Sequence, residues 1–246
     1  MTKHYLKFKE KDDNGLKTLE AIAKADKFNQ WMFQTIKPYC KGNILEIGSG
    51  IGNISAFFIN DGQRIFLSDI RESYCKELSR KFGSFSNFLG TETLDLVDPD
   101  FNINYKHHFN KYDTVFALNV IEHIENDRQA IRNCYKLLAK DGNLIILVPS
   151  YHLLYNHFDK ELGHFKRYTK RIVSELLKDS NLKIIHAQYF NFVGIMGWFI
   201  SGNLLKKKTI PSGQMKLYNT FVPLIKIIDK LVLNAVGLST IVIGKK

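Results

Sequence analysis

Long apolar runs are missing from this chain. Its two richest stretches, Phe190–Ile200 and Phe221–Ile228, fall well short of the roughly 18 uninterrupted apolar residues a membrane span needs. Cysteine is scarce: Cys40, Cys75 and Cys134 are too widely spaced for a disulfide framework or a metal cluster, which disfavours disulfide-stapled folds and suits a reducing cytoplasm. No Pro-, Gly- or Ser-rich linker and no repeat divides the 246 residues, so one domain with a sizeable core is expected. Acid is the minority charge, 24 Asp and Glu against 35 Lys and Arg, leaving a formal charge of +11. That balance favours phosphate, carboxylate or membrane-surface partners, but the lysines, including Lys3, Lys7, Lys9 and Lys11, are spread along the chain. Residues 1–10 are basic without the apolar core of a signal peptide.

What is present becomes informative at residues 43–53. An apolar strand, Ile44-Leu45-Glu46-Ile47, runs straight into a turn with glycine at 48, 50 and 52. Glycines at alternate positions let a backbone turn tightly and approach a ligand closely. The dinucleotide fingerprint requires its third glycine where Asn53 stands, so a pyrophosphate ligand is disfavoured. A second strand, Arg64–Asp69, ends in an acid 17 residues after Gly52 with a helical stretch between them, which makes one βαβ unit. A carboxylate there can accept both hydroxyls of a ribose; the alternative is that Asp69 caps a helix starting near Arg71.

With Glu46 two residues before Gly48, the turn resembles the first motif of class I S-adenosylmethionine-dependent methyltransferases, Glu/Asp-x-Gly-x-Gly-x-Gly. Three later segments extend the resemblance. Asp113-Thr114-Val115 with Asn119-Val120-Ile121-Glu122-His123-Ile124 looks like the fourth strand and loop of small-molecule members. Leu94-Asp95-Leu96 sits where the family receives the adenine, although Asp95, Asp98 and Asp100 around Pro99 also read as a solvated turn. A helix over 127–139 is stopped by Lys140-Asp141-Gly142 and leads to a fifth strand, Asn143–Pro149; the family has Leu-Lys-Pro-Gly-Gly before that strand, from which Lys140-Asp141-Gly142-Asn143 departs.

The resemblance implies S-adenosylmethionine as cofactor and S-adenosylhomocysteine as product. It implies that Glu46, Gly48, Ser49, Gly50 and Gly52 hold the methionine part. By the same carry-over Asp69 and Ile70 hold the ribose, Asp95 and Leu96 the adenine, and Asn119 and Val120 the methionine end. His123 would face the transferred methyl or brace its loop. No metal-ligand set is expected.

The acceptor side should follow the fifth strand at the sheet edge where open α/β sheets bind ligands. Residues 151–170 are dense in ionisable and aromatic groups, and Leu162-Gly163-His164-Phe165-Lys166-Arg167-Tyr168-Thr169 resembles a segment of bacterial methyltransferases of undetermined substrate. His164 is the candidate base, or else a loop brace bonded to Asp159 or Glu161; Arg167 is a candidate anion clamp, or else their ion-pair partner. Tyr155 and Tyr168 are candidate substrate contacts. A base is dispensable in principle, because aligning the nucleophile behind the methyl supplies much of the rate.

The expected architecture is α/β, a Rossmann-like, seven-stranded, mostly parallel sheet with helices on both faces. Within a single methyltransferase domain, 1–40 form an N-terminal helical cap, with Tyr5 and Trp31 as possible lid aromatics. Residues 41–190 form the cofactor-binding core, 191–237 a helical substrate cover and 238–246 the last strand. The cover reads either as helices closing an apolar pocket or, with Lys206–Lys208, as a peripheral membrane contact for a lipid-linked substrate. The expected reaction methylates an oxygen or nitrogen of a small metabolite. An RNA or protein acceptor, or a non-catalytic S-adenosylmethionine-binding module, are the alternatives. The chain has no Asn-Pro-Pro-Tyr after the fourth strand and no RNA-binding module, which disfavours nucleic acid.

Overall fold

The computed structural model describes residues 13–204 and 212–246. Lys3, Lys7, Lys9, Lys11, Tyr5 and Lys206–Lys208 lie outside the described residues. Seven strands form one sheet in the order β3-β2-β1-β4-β5-β7-β6. β1 (Ile44–Ile47), β2 (Ile65–Asp69), β3 (Phe88–Thr93), β4 (Tyr112–Leu118) and β5 (Leu138–Pro149) run parallel. β7 (Ser239–Lys245) lies antiparallel between β5 and β6 (Lys183–Phe190). The expected mostly parallel sheet is therefore present, with its single reversal at the last strand.

Successive residues of the central strands feed two cores. Leu45, Ile47, Val115, Ala117, Leu144 and Ile146 pack with α6 (Asp127–Leu137) and α8 (Lys170–Lys178). Ile44, Phe116, Ile145 and Leu147 pack with α2 (Asp26–Ile36) and α3 (Ser55–Asn60) on the other face. Burial on both faces explains why β1 reads as an unbroken apolar run rather than an alternating one. Because β1 is flanked by β2 on one side and β4 on the other, the loops after β1 and β4 part at a topological switch point.

The N-terminal cap comprises α1 (Asp13–Ala23) and α2 among the described residues. Trp31 is core: its ring centroid lies 4.1 Å from that of Phe190. In the cover, α9 (Gly194–Phe199) continues into a π turn over Ile200–Leu204, and α10 (Ser212–Leu231) runs back across α2. Asn219 of α10 accepts the backbone N–H groups of Lys27 and Phe28 at 2.9 and 3.2 Å, capping the start of α2 from across the fold. Asp229 anchors the other end by accepting the N–H groups of Asn191 and Phe192.

One stop signal misleads. α6 ends at Leu137, five residues before Gly142, and the left-handed backbone of this turn falls on Asp141. Gly142 is needed for closeness: a Cβ there would stand 2.9 Å from the Ala139 carbonyl oxygen and 3.1 Å from that of Tyr112.

Candidate active site

A cavity of about 770 Å³ opens at the C-terminal edge of β1, β4 and β5. Its first wall is the turn after β1. Gly48 has φ +70°, and a Cβ on it would come 2.4 Å from a Val120 methyl, so glycine here lets the β1 and β4 loops touch. Gly52, at φ +80°, does not line the cavity; a Cβ on it would meet the Phe82 ring at 2.7 Å. Its expected place against the ligand is therefore corrected to packing against α4 (Glu72–Phe82). Leu19 of α1 rests over Gly50, and Asn53 donates to the Leu19 carbonyl at 3.0 Å, tying the cap to the turn.

Two buried acids flank this turn. Glu46 accepts the Ser55 hydroxyl, and burial pushes its carboxyl up to about 7 against hydrogen bonds from Ser55 and Ser49 that pull it down. Asp69 accepts the N–H of Gly50 at 2.9 Å and that of Arg71 at 3.0 Å, and burial again raises its carboxyl. Asp69 thus ties the turn to the start of α4. With the Ile70 N–H as a further donor, the carboxylate still keeps a lone pair for a ligand hydroxyl. Ser49, Gly50, Ile70, Asp95, Leu96, Asn119 and Val120 all line the cavity, as expected. Asp95 also accepts the Val97 N–H at 2.9 Å, the turn contact that was its alternative reading. Asn119 takes the left-handed backbone, φ 55°, which Asn tolerates better than most residues. Arg71 and Tyr74 complete this wall, with the guanidinium 5.4 Å from the ring centroid. The linear reading missed both.

The opposite wall joins the loop after β4 to the segment after β5. Asn156 and Asp159 form a capping box on α7 (His157–Glu161), which fixes the Asp159 carboxylate inside the fold. Asp159 Oδ1 lies 2.7 Å from His164 Nδ1 and 2.9 Å from Arg167 Nε. Burial raises this carboxyl, but the His164 hydrogen bond and the Arg167 charge outweigh it and hold it below its ordinary value. An ionised Asp159 only accepts, so His164 donates to it from Nδ1. His123 stands edge-on to it with ring centroids 4.7 Å apart. Burial, helped by the neighbouring His164 and Arg71, pushes the His123 imidazole down to about 3 and keeps it neutral.

Arg167 lines the cavity but is already committed. Its Nη1 donates to the Ser150 carbonyl at 3.0 Å, its guanidinium stacks 4.6 Å from the Trp198 ring centroid, and Nη2 alone lacks a partner among the described residues. The ion-pair alternative is the one seen. Tyr155 and Tyr168 do not line the cavity. Tyr155 donates its hydroxyl to the His164 carbonyl at 2.7 Å, and the fully buried Tyr168 bonds Asp127 at 3.1 Å. Both expected substrate contacts are thus corrected to loop braces.

Glu122 was overlooked as a functional residue. It is 0% exposed, lines the cavity, and neither carboxylate oxygen has a hydrogen-bond partner among the described residues. Burial pushes its carboxyl up to about 7. The available signal was an acid inserted between Ile121 and His123 just beyond a central strand.

Comparison with known proteins agrees with this geometry. Residues 45–144 match the family described as "Methyltransferase domain". A stretch of 141 residues is 31% identical to "Polyketide synthase PksR" of Bacillus subtilis (strain 168), covering 54% of this chain and only 6% of that protein. The fold resembles that of a S-adenosylmethionine-dependent methyltransferase from Archaeoglobus fulgidus, with TM-score 0.56, 17% identity, and 89% and 94% of the two chains covered. It also resembles Haemonchus contortus phosphoethanolamine N-methyltransferase 2, solved with S-adenosyl-L-methionine, with TM-score 0.58, 15% identity, and 93% and 57% covered.

Proposed function

We propose that this chain is a class I S-adenosylmethionine-dependent methyltransferase that moves the cofactor's methyl to an oxygen or nitrogen of a small metabolite, a reading supported by its domain match and its fold. One observation carries the reading: Glu46 and Asp69, both buried, bracket the glycine turn at the switch point of a cavity whose far wall holds His164. Asp69 takes the ribose hydroxyls, Asp95 and Leu96 the adenine, and the turn beside Glu46 the methionine part. The cofactor's positive charge is then met by Glu46 in a site where screening by water is weak. Asn119 and Val120 would line the methionine end of the cofactor, whose sulfonium would supply an activated methyl to the acceptor's nucleophile. Alignment supplies much of the rate, and His164 Nε2 can receive the acceptor's proton.

Phe158 of α7 and the cover residues Trp198, Met215 and Tyr218 line the cavity with apolar and aromatic surface, which favours a small acceptor over RNA or protein. The match to part of a polyketide synthase suits an oxygenated carbon chain as that acceptor. A lipid-linked acceptor is favoured by a separate feature. Leu217, Phe221, Leu224 and Leu231 form an exposed stripe on α10, turned away from its buried Val222 and Ile225 and flanked by Lys216 and Lys230. No helix among the described residues is long and apolar enough to cross a membrane. Cosedimentation with anionic vesicles, lost in Phe221→Asp, supports the lipid face; no cosedimentation removes it.

The cofactor reading is tested by calorimetric titration with S-adenosylhomocysteine beside Asp69→Ala and an NAD control. Micromolar binding by the native chain alone, with no response to NAD, is expected. A preference for NAD, or no binding, overturns the reading.

A further inference from the structure

Glu122, His123 and His164 each offer one ligand atom, and these atoms lie within 4.8 Å of one another on the cavity wall. A metal with ligand bonds of about 2.1 Å needs ligand separations of roughly 3.4 Å in a tetrahedral site, which small side-chain rotations reach from here. We propose that these three residues bind one divalent transition-metal ion of the zinc or manganese type, with its remaining positions open to the acceptor end of the cavity.

Three features point to an ion rather than to a closed polar cluster. First, Glu122 is fully buried with both oxygens unpartnered among the described residues, though a buried carboxylate without donors is costly. Second, one imidazole is oriented from behind: Asp159 holds His164 Nδ1 at 2.7 Å, and the His123 ring stands edge-on to the His164 ring with centroids 4.7 Å apart. An imidazole held at one nitrogen by a carboxylate turns its other nitrogen outward, and carboxylate-to-histidine-to-metal relays are built like this. Third, the chain contains its own counterexample. Glu92, His107 and His108 also cluster, yet Glu92 Oε2 already bonds both imidazoles at 3.0 Å. That carboxylate is spent on its neighbours, whereas Glu122 is not. Two imidazoles and one carboxylate suit zinc, manganese or iron better than magnesium or calcium, which prefer all-oxygen shells.

The inference does not require the methyl-transfer reading, and an ion held on His164 Nε2 would take the place of that nitrogen's role as proton acceptor. Its test is equilibrium dialysis of tag-free, chelator-stripped protein against Zn²⁺, Mn²⁺ and Mg²⁺ at pH 7.5, with metal counted by elemental analysis. The variants are Glu122→Gln, His123→Gln and His107→Ala, each checked for folding by circular dichroism. The expected result is one Zn²⁺ or Mn²⁺ per chain at micromolar free metal, weakened at least 100-fold in Glu122→Gln or His123→Gln and unchanged in His107→Ala. Failure of the native chain to retain an ion, retention by both folded wall variants, or loss in His107→Ala overturns the proposal. Titration of the native chain with S-adenosylhomocysteine is read separately, so failure of the cofactor reading is distinguishable from failure of the metal site.

Discussion

At the cofactor end, the buried acids Glu46 and Asp69 each meet donors supplied by the glycine turn and the helices beside it; at the acceptor end Glu122, buried as deeply, meets none among the described residues. The first arrangement has its donors in place before a ligand arrives, so the ligand adds contacts to a fixed frame. The second leaves a carboxylate whose missing partners cost about 1–3 kcal/mol. Structure can tolerate that cost where a ligand offsets it. One wall therefore serves a defined ligand, and the other waits for a charge to be supplied.

The comparison breaks most severely at Asp159. Asp159→Ala should cost about 3–5 kcal/mol in denaturant unfolding, because it strands the buried Arg167 and releases His164 together. A loss below 1 kcal/mol would mean that the acceptor wall does not depend on this carboxylate. At the cofactor wall, Asp69→Ala should weaken S-adenosylhomocysteine binding by about 100-fold or more and destabilise by about 2 kcal/mol as the Gly50 and Arg71 N–H groups lose their acceptor. Equal affinity in variant and native protein would remove Asp69 from the ribose site.

Glu46 sharpens the contrast through pH. Its carboxyl is raised by burial from 4.5 to about 7, so between these values the folded chain keeps a proton that the unfolded chain has released. The unfolded state binds fewer protons there, and this contribution to stability falls as pH rises from about 4.5 to 7 and levels above it. Glu46→Gln should flatten that part of a stability-against-pH curve relative to the native chain; an unchanged slope refutes the assignment. The smallest effect belongs to Tyr155→Phe, expected to cost about 1 kcal/mol in thermal or denaturant unfolding and to leave S-adenosylhomocysteine affinity unaltered. A tenfold drop in that affinity would return Tyr155 to the site.

The same contrast governs what could be read from the sequence. The cofactor wall is local: β1, its glycine turn and the acid ending β2 lie within 26 residues, and buried strands and turns leave patterns at that range. The acceptor wall is assembled from residues 122 to 167, and the roles there depend on which neighbour each group meets. A tyrosine hydroxyl in a polar loop looks alike whether it faces a substrate or, as Tyr155 does, a backbone carbonyl. Glu122 looked like one more loop acid because its isolation exists only in three dimensions. Gly142 misled because a glycine after lysines resembles a helix stop, whereas the room for a Cβ there is taken by the carbonyls of Ala139 on its own strand and Tyr112 on the paired strand β4.

The most direct test is a crystal structure of the chain with S-adenosylhomocysteine. The account predicts both ribose hydroxyls on Asp69, the adenine beside Asp95 and Leu96, and the sulfur facing the wall of Glu122, His123 and His164. A ligand bound with its ribose away from Asp69, or with its sulfur turned from that wall, would contradict it.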